Sequence, residues 1–149
     1  FQGQIQSNKI SSIAKWANVV HSLDDSRHAA LLAKAVPVSK RMAVFIQVCL
    51  DPMPARGGVL PSLISPLAEM VHQYPSLKLE GIMAVAPLGE NPESAFSRLA
   101  RIHSDFRQQF PDSPSLSAGM SGDFEVAIMH GATHLRVGSS ILGSRSPQR

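Results

Sequence analysis

Two short stretches near the C-terminus carry residue types that suit an anion. They are Ser115-Leu-Ser-Ala-Gly-Met-Ser-Gly-Asp123 and His134-Leu-Arg-Val-Gly-Ser-Ser-Ile-Leu-Gly143. Each reads as a strand, a Gly/Ser turn and the first residues of a helix. Backbone N–H groups at such turns point outward, and a phosphate satisfies them. Gly119 lets the backbone approach a ligand closely. Ser121 either caps the next helix or offers its hydroxyl to the anion. Asp123 is a second cap candidate, which leaves Ser121 for the ligand. In Leu135-Arg-Val-Gly138, strand alternation sets Leu135 and Val137 on one face and Arg136 on the other. With the apolar pair under the helices, Arg136 faces the mouth of the sheet, and Gly138 and Ser139 present N–H groups to an anion. A cation at the end of a buried strand needs a partner, either a ligand or a neighbouring carboxylate.

Other chemistries have less support. A nucleophile elbow needs G-x-S-x-G, and position 123 is Asp. His130 and His134 are split between elements by Gly131, and no cluster of Cys, Asp or Glu joins them, so no metal site is expected. Cys49 lies in an apolar run and reads as a buried thiol. Glu80, Glu90 and Glu93 form no supported carboxylate pair, so no catalytic residue is assigned. His21, at a strand end, is either a pocket wall or a structural histidine. His28, His72 and His103 are expected on exposed helix faces.

These residues need a scaffold of alternating strands and helices. Strands are expected over 19–22, 42–50, 79–85, 115–119 and 133–137, with a further strand end over 1–3. The run at 42–50 is apolar throughout, as for a strand covered on both faces. Asp24 or Asp25 caps a helix that reaches residue 35. A helix over 61–74 carries Leu63, Leu67, Met70 and Val71 on one stripe, and Pro66 implies a late start or a kink. A helix over 92–110 carries Phe96, Leu99, Ile102 and Phe106 on one face. Further helices are expected over 123–130 and from 139, and residues 51–58 read as a Pro/Gly loop. Such βα alternation implies a parallel sheet, either doubly wound or a (β/α)8 barrel. A closed barrel needs about 200–250 residues, more than this chain has.

The 149 residues, 44% hydrophobic, suit one globular domain over 1–149. The net charge is +3, but the basic residues are scattered and aromatics make up only 5%, so no nucleic-acid partner is expected. No apolar run reaches the roughly 18 residues that cross a membrane. One cysteine and an opening unlike a secretory signal make the cytoplasm the expected compartment. The chain begins Phe1-Gln-Gly without an initiator Met, so a fragment or shortened reading frame is expected.

Taken in order, the motifs resemble the pyridoxal phosphate homeostasis family (the YggS type), whose members have the alanine racemase N-terminal barrel fold. The carriers are L-S-x-G-M-S-x-D at 116–123 and R-V-G-S-x-I-L-G at 136–143. Gly3-Gln-Ile-Gln-Ser-Asn-Lys9, Val20-His-Ser-Leu-Asp24, Ala55-Arg-Gly-Gly58 and Gly81-Ile-Met-Ala-Val85 are similar to further family motifs, and nearly the whole chain is covered. The resemblance implies a (β/α)8 TIM-barrel-type α/β fold that is incomplete here. The first two strands, their Gly-Glu-Asn motif and the Schiff-base lysine would precede Phe1. None of Lys9, Lys15, Lys34, Lys40 and Lys78 matches that lysine. Both flanking strands would then have open edges.

The resemblance also implies a cofactor, pyridoxal 5′-phosphate. Ser121, Gly138 and Ser139 would hold its phosphate, Arg136 would face the pyridine nitrogen, and Met83 and Met120 would line the pocket or belong to the core. Arginine only donates, so it would keep that nitrogen unprotonated and weaken the ring as an electron sink. The function implied is that of a non-catalytic carrier in vitamin B6 homeostasis, with the cofactor as its partner and a monomer where the barrel is complete. The alternatives are a racemase-like enzyme and a fragment without a function of its own.

Overall fold

In the computed structural model, which describes residues 1–51 and 57–143, the apolar runs form the strands and the amphipathic runs the helices. Five strands, β1 (Val19–Leu23), β2 (Met42–Val48), β3 (Leu77–Ala84), β4 (Ser115–Met120) and β5 (His134–Arg136), lie side by side in chain order, and every pair is parallel. The result is half of a barrel. The helices are α1 (Ile10–Trp16), α2 (Ser26–Ala35), α3 (Ile64–His72), α4 (Pro92–Gln109), α5 (Phe124–Met129) and α6 (Ser139–Leu142). None of the described helices is long and apolar enough to cross a membrane.

One face of the sheet packs on the helices. Val20, Val44, Ile46, Leu79, Ile82 and Leu116 meet Leu32, Leu67, Val71, Phe96, Leu99 and Phe106 in one buried cluster. The other face is the concave interior. Pairing brings Gln47 opposite Met83 and Met120 opposite Arg136, which makes one row near the C-terminal ends of the strands. Below it, His21 stacks on Phe45 with ring centres 4.5 Å apart, and His134 packs edge-on against the same ring at 5.1 Å.

The local signals act as their chemistry dictates. Asp25 caps α2 by accepting from the His28 N–H at 3.0 Å. The Asn91 side chain accepts from the Glu93 N–H at 2.9 Å, with Pro92 as the first residue of α4. Pro66 lies in the first turn of α3, where its missing N–H has no intrahelical acceptor to lose.

Some boundaries and faces differ from expectation. The helix expected from residue 61 opens as a 3-10 turn, Pro61–Leu63, before α3 begins. That turn leaves Leu63 exposed, while Ile64 and Ala68 take the buried stripe with Leu67 and Val71. On α4, Ile102 is only half-buried and His103 is buried, not at the surface. The 96-99-103-106 spacing puts His103 on the inner face, where its ring nitrogen Nε2 lies 3.0 Å from the Pro114 carbonyl oxygen. Burial pushes the His103 imidazole down, against the pull of that carbonyl. His28 is half-buried and meets Ser7 Oγ at 3.2 Å, whereas His72 is exposed. Cys49 is a buried free thiol.

Residues 1–3 form no strand, yet they line the outer edge of β1. The Phe1 ammonium donates to the Val19 carbonyl at 2.7 Å, and the His21 N–H donates to the Phe1 carbonyl at 2.9 Å. That edge of the sheet is partly bonded, while β5 ends the sheet on the other side. Of the Ala55-Arg-Gly-Gly58 motif, Ala55 and Arg56 lie outside the described residues. So do the other residues of 52–56 in the expected 51–58 loop.

Candidate functional site

At the C-terminal ends of the strands the concave face closes around a cavity of about 270 Å³, whose walls include Asp24, Gln47, Met83, Val85, Met120 and Arg136. A larger hollow of about 560 Å³ lies near the N-terminal ends of β4 and β5, lined in part by His103, Arg107 and His130. We assign the site to the smaller cavity, because loops at the C-terminal ends of parallel strands are where this architecture places ligands. The residues singled out from the sequence also gather there.

Arg136 is held from two sides. Its Nη1 donates to Ser117 Oγ and its Nη2 to the Ala84 carbonyl, both at 2.8 Å. Burial pushes the guanidinium down from its ordinary value, opposed by the charge of Asp123. Even so, an arginine stays protonated. Among the described residues no carboxylate lies within ion-pair distance of Arg136. The alternative of a neighbouring carboxylate partner is therefore not what the geometry shows.

Ser117 links Arg136 to His21. Its oxygen accepts from Arg136 and lies 2.9 Å from His21 Nδ1. The His21 imidazole is pushed down to about 4, first by burial, then by Arg136, the N-terminal ammonium and His134. A neutral His21 holds Ser117 through Nδ1, as donor or acceptor according to its tautomer. His21 is thus a structural residue beneath the cavity that orients Ser117 and, through it, the guanidinium.

The two turns meet at Ser121. Its Oγ accepts from the N–H groups of Gly138 at 3.2 Å and Ser140 at 3.3 Å, with Ser139 between them. Ser121 does not cap α5. Asp123 instead accepts from the Met120 N–H at 2.6 Å and fixes the turn. Gly119 is required here: its φ is +88°, and a Cβ would lie 2.7 Å from Ala127 Cβ and 2.9 Å from Phe124 Cα. The close approach of α5 to β4 depends on that missing side chain.

The structure therefore puts Met83, Met120 and Arg136 on the cavity wall and Ser121, Gly138 and Ser139 in the turns beside it. Met83 is buried and Met120 is partly exposed. Asp24 and Gln47 are wall residues that the sequence reading did not assign. The signal for Asp24 was present: two adjacent aspartates at one helix start, where a single cap suffices, and Asp25 is the one that caps.

A phosphate ester fits this donor set. Two backbone N–H groups already converge on one oxygen, that of Ser121, with a second hydroxyl from Ser140 beside them. A permanently charged guanidinium, without an ion-pair partner among the described residues, lines the adjoining cavity.

Residues 1–146 match the family model of the alanine racemase N-terminal domain. The chain belongs to this family. Its curated relatives include the pyridoxal phosphate homeostasis proteins of Corynebacterium glutamicum and Mycobacterium tuberculosis. The first is 44% identical over 96% of this chain and 68% of its own length, the second 41% identical over 96% and 59%. The chain thus spans about three fifths to two thirds of these relatives. Among solved structures, PipY of Synechococcus elongatus with pyridoxal phosphate bound superposes with a TM-score of 0.84 at 28% identity, covering 95% of this chain and 68% of PipY. Alanine racemase of Clostridium difficile shares the fold, with a TM-score of 0.67 at 15% identity over 98% of this chain and 41% of the racemase. The family and the incomplete-barrel fold expected from the motifs are both borne out.

Proposed function

We propose that this chain binds pyridoxal 5′-phosphate in the cavity at the C-terminal end of its sheet and serves vitamin B6 homeostasis in the cytoplasm as a carrier. The observation that carries the reading is the convergence of the Ser121–Gly138 turns with a half-buried Arg136 that has no carboxylate partner among the described residues. The names of the relatives and the cofactor bound to PipY support it.

Each residue has a distinct role in this reading. Ser121, Gly138 and Ser139 take the phosphate, whose oxygens compete with the Ser121 hydroxyl for the turn N–H groups. Arg136 donates toward the pyridine nitrogen, with its approach set by Ser117 and the Ala84 carbonyl. Because a guanidinium is a donor only, the nitrogen stays unprotonated. Met83 and Met120 form an apolar wall that excludes water from the ring. When bound, pyridoxal 5′-phosphate supplies an electrophilic aldehyde on an electron-withdrawing ring. The protein side of the site holds and orients it.

Titration of the purified chain with pyridoxal 5′-phosphate, read by ligand absorbance and protein fluorescence, tests the reading. Ser121→Ala and Arg136→Met should each weaken binding about tenfold or more, as loss of a charge-assisted or paired hydrogen bond does. No saturable binding by the wild type, or unchanged binding in both variants, contradicts the proposal.

A further inference from the structure

The cavity has two electrical poles, Arg136 and the Asp24 carboxylate, and the function proposed for it gives the carboxylate no role. Arg136 ends β5, the last strand of the sheet, whereas Asp24 directly follows β1, the first. Curvature brings both to one cavity of about 270 Å³. The carboxylate of Asp24 accepts from the Gly58 N–H through Oδ2 at 3.0 Å. A carboxylate offers about four acceptor sites. Among the described residues its other oxygen, Oδ1, has no hydrogen-bond or ion-pair partner.

Two further details bear on that carboxylate. Gly57 lies against it, and a Cβ at this position would come within 3.1 Å of Oδ2 and 3.7 Å of Gln47 Nε2. A side chain there would crowd the acid and, at a φ of +74°, strain the backbone. The chain's lysines are also engaged or placed elsewhere. Lys40 donates to the Ala17 carbonyl, Lys78 pairs with Glu80 at 2.6 Å, and none of the five lysines lines the cavity.

We propose that Asp24 is a specificity-determining residue of this cavity. It selects phosphate esters that also carry a protonated amine over those with a hydroxyl in the same place. The inference rests on the preceding reading, in which the phosphate sits at the β4–β5 turns. A ligand with its phosphate at those turns, its ring nitrogen toward Arg136 and a protonated amine toward Asp24 then satisfies both poles. Pyridoxamine 5′-phosphate is such a ligand, and pyridoxine 5′-phosphate differs from it by a hydroxyl in place of the amine.

Calorimetric titration of the purified chain near neutral pH with these two esters, and with inorganic phosphate alone, tests the proposal. The amine should bind about tenfold more tightly than the alcohol, the gain expected of one charge-assisted hydrogen bond. Asp24→Asn keeps an oxygen to accept from Gly58, removes the charge, and should bring the ratio near one. Equal affinities in the wild type overturn the inference and leave cofactor binding standing. A ratio that survives in Asp24→Asn overturns the role of Asp24. If neither ester binds better than inorganic phosphate, the reading of the cavity falls and the inference with it. Equal wild-type affinities overturn the inference even if Asp24→Asn does not fold, and Asp24→Ser, read in the same way, then tests the residue itself.

Discussion

The two sides of the sheet are built on different terms. β2 and β3 are buried along most of their length, and Phe45, Ile46 and Ile82 are almost wholly shielded from solvent. β5 has three residues, none fully buried, and α6 has no buried residue at all, with Leu142 86% exposed. Yet Arg136, Gly138 and Ser139 belong to this loosely packed corner. Backbone groups that are to meet a ligand cannot all be locked into packing and ladder hydrogen bonds. Segments that bind are drawn from the less stable end of a fold. The buried strands hold the cavity's shape, and the exposed corner supplies its donors.

The largest effect that separates the two regions should come from Phe45→Ala. The ring is sandwiched between His21 and His134, and its removal should cost about 3–5 kcal/mol in a denaturant melt. A loss near zero would mean that the concave face is not packed as described. Next in size is Gly119→Ala, which meets a positive φ and the Ala127 methyl together. About 2–3 kcal/mol of destabilisation is expected, with the Ser121 turn displaced and ligand affinity lowered. Adding Ala127→Gly should recover part of the loss, because it removes the contact with the methyl and leaves the contact with Phe124 Cα and the strain of φ.

A smaller effect should appear with pH. The His21 imidazole sits at about 4 in the folded chain against an ordinary value of 6.5. The folded state therefore binds fewer protons than the unfolded one between these values. Its stability is full above pH 6.5 and falls as pH drops toward 4. Because His21 is only partly buried, solvent screens the effect and about 1–2 kcal/mol is expected, and His21→Gln should flatten that part of the stability curve. An unchanged slope in the variant would remove His21 from the account. The smallest effect should come from Leu142→Ala, within about 0.5 kcal/mol, since the side chain lies in solvent. A cost like that of Phe45→Ala would erase the contrast between the regions.

The order of the elements was legible because each strand is a short apolar run and each helix has a stripe and a start signal. Asp25, Asn91 and Pro92 act in the structure as their residue types imply. Faces were less legible where a polar residue sits on an apolar stripe. His103 read as a surface residue, and its bond to the Pro114 carbonyl helps to make burial tolerable. At β5 the expected packing of Leu135 under the helices is partial: its Cδ2 lies 3.3 Å from where a Cβ on Gly119 would sit, but 38% of the residue remains exposed. Alternation placed Arg136 on the cavity side, but Asp24 could not be placed this way. A residue just past a strand end has no fixed face, and its neighbour Asp25 is an equally good cap. Only curvature, a three-dimensional property, brings Asp24 and Arg136 together.

The central claim is that the turn N–H groups now held by Ser121 are the phosphate donors. Amide hydrogen exchange at Gly138 and Ser140, followed with and without saturating pyridoxal 5′-phosphate, tests it most directly. The account predicts clear slowing at these two amides and little change in β2, whose amides are already protected. Unchanged exchange at Gly138 and Ser140 while the ligand is demonstrably bound would contradict it.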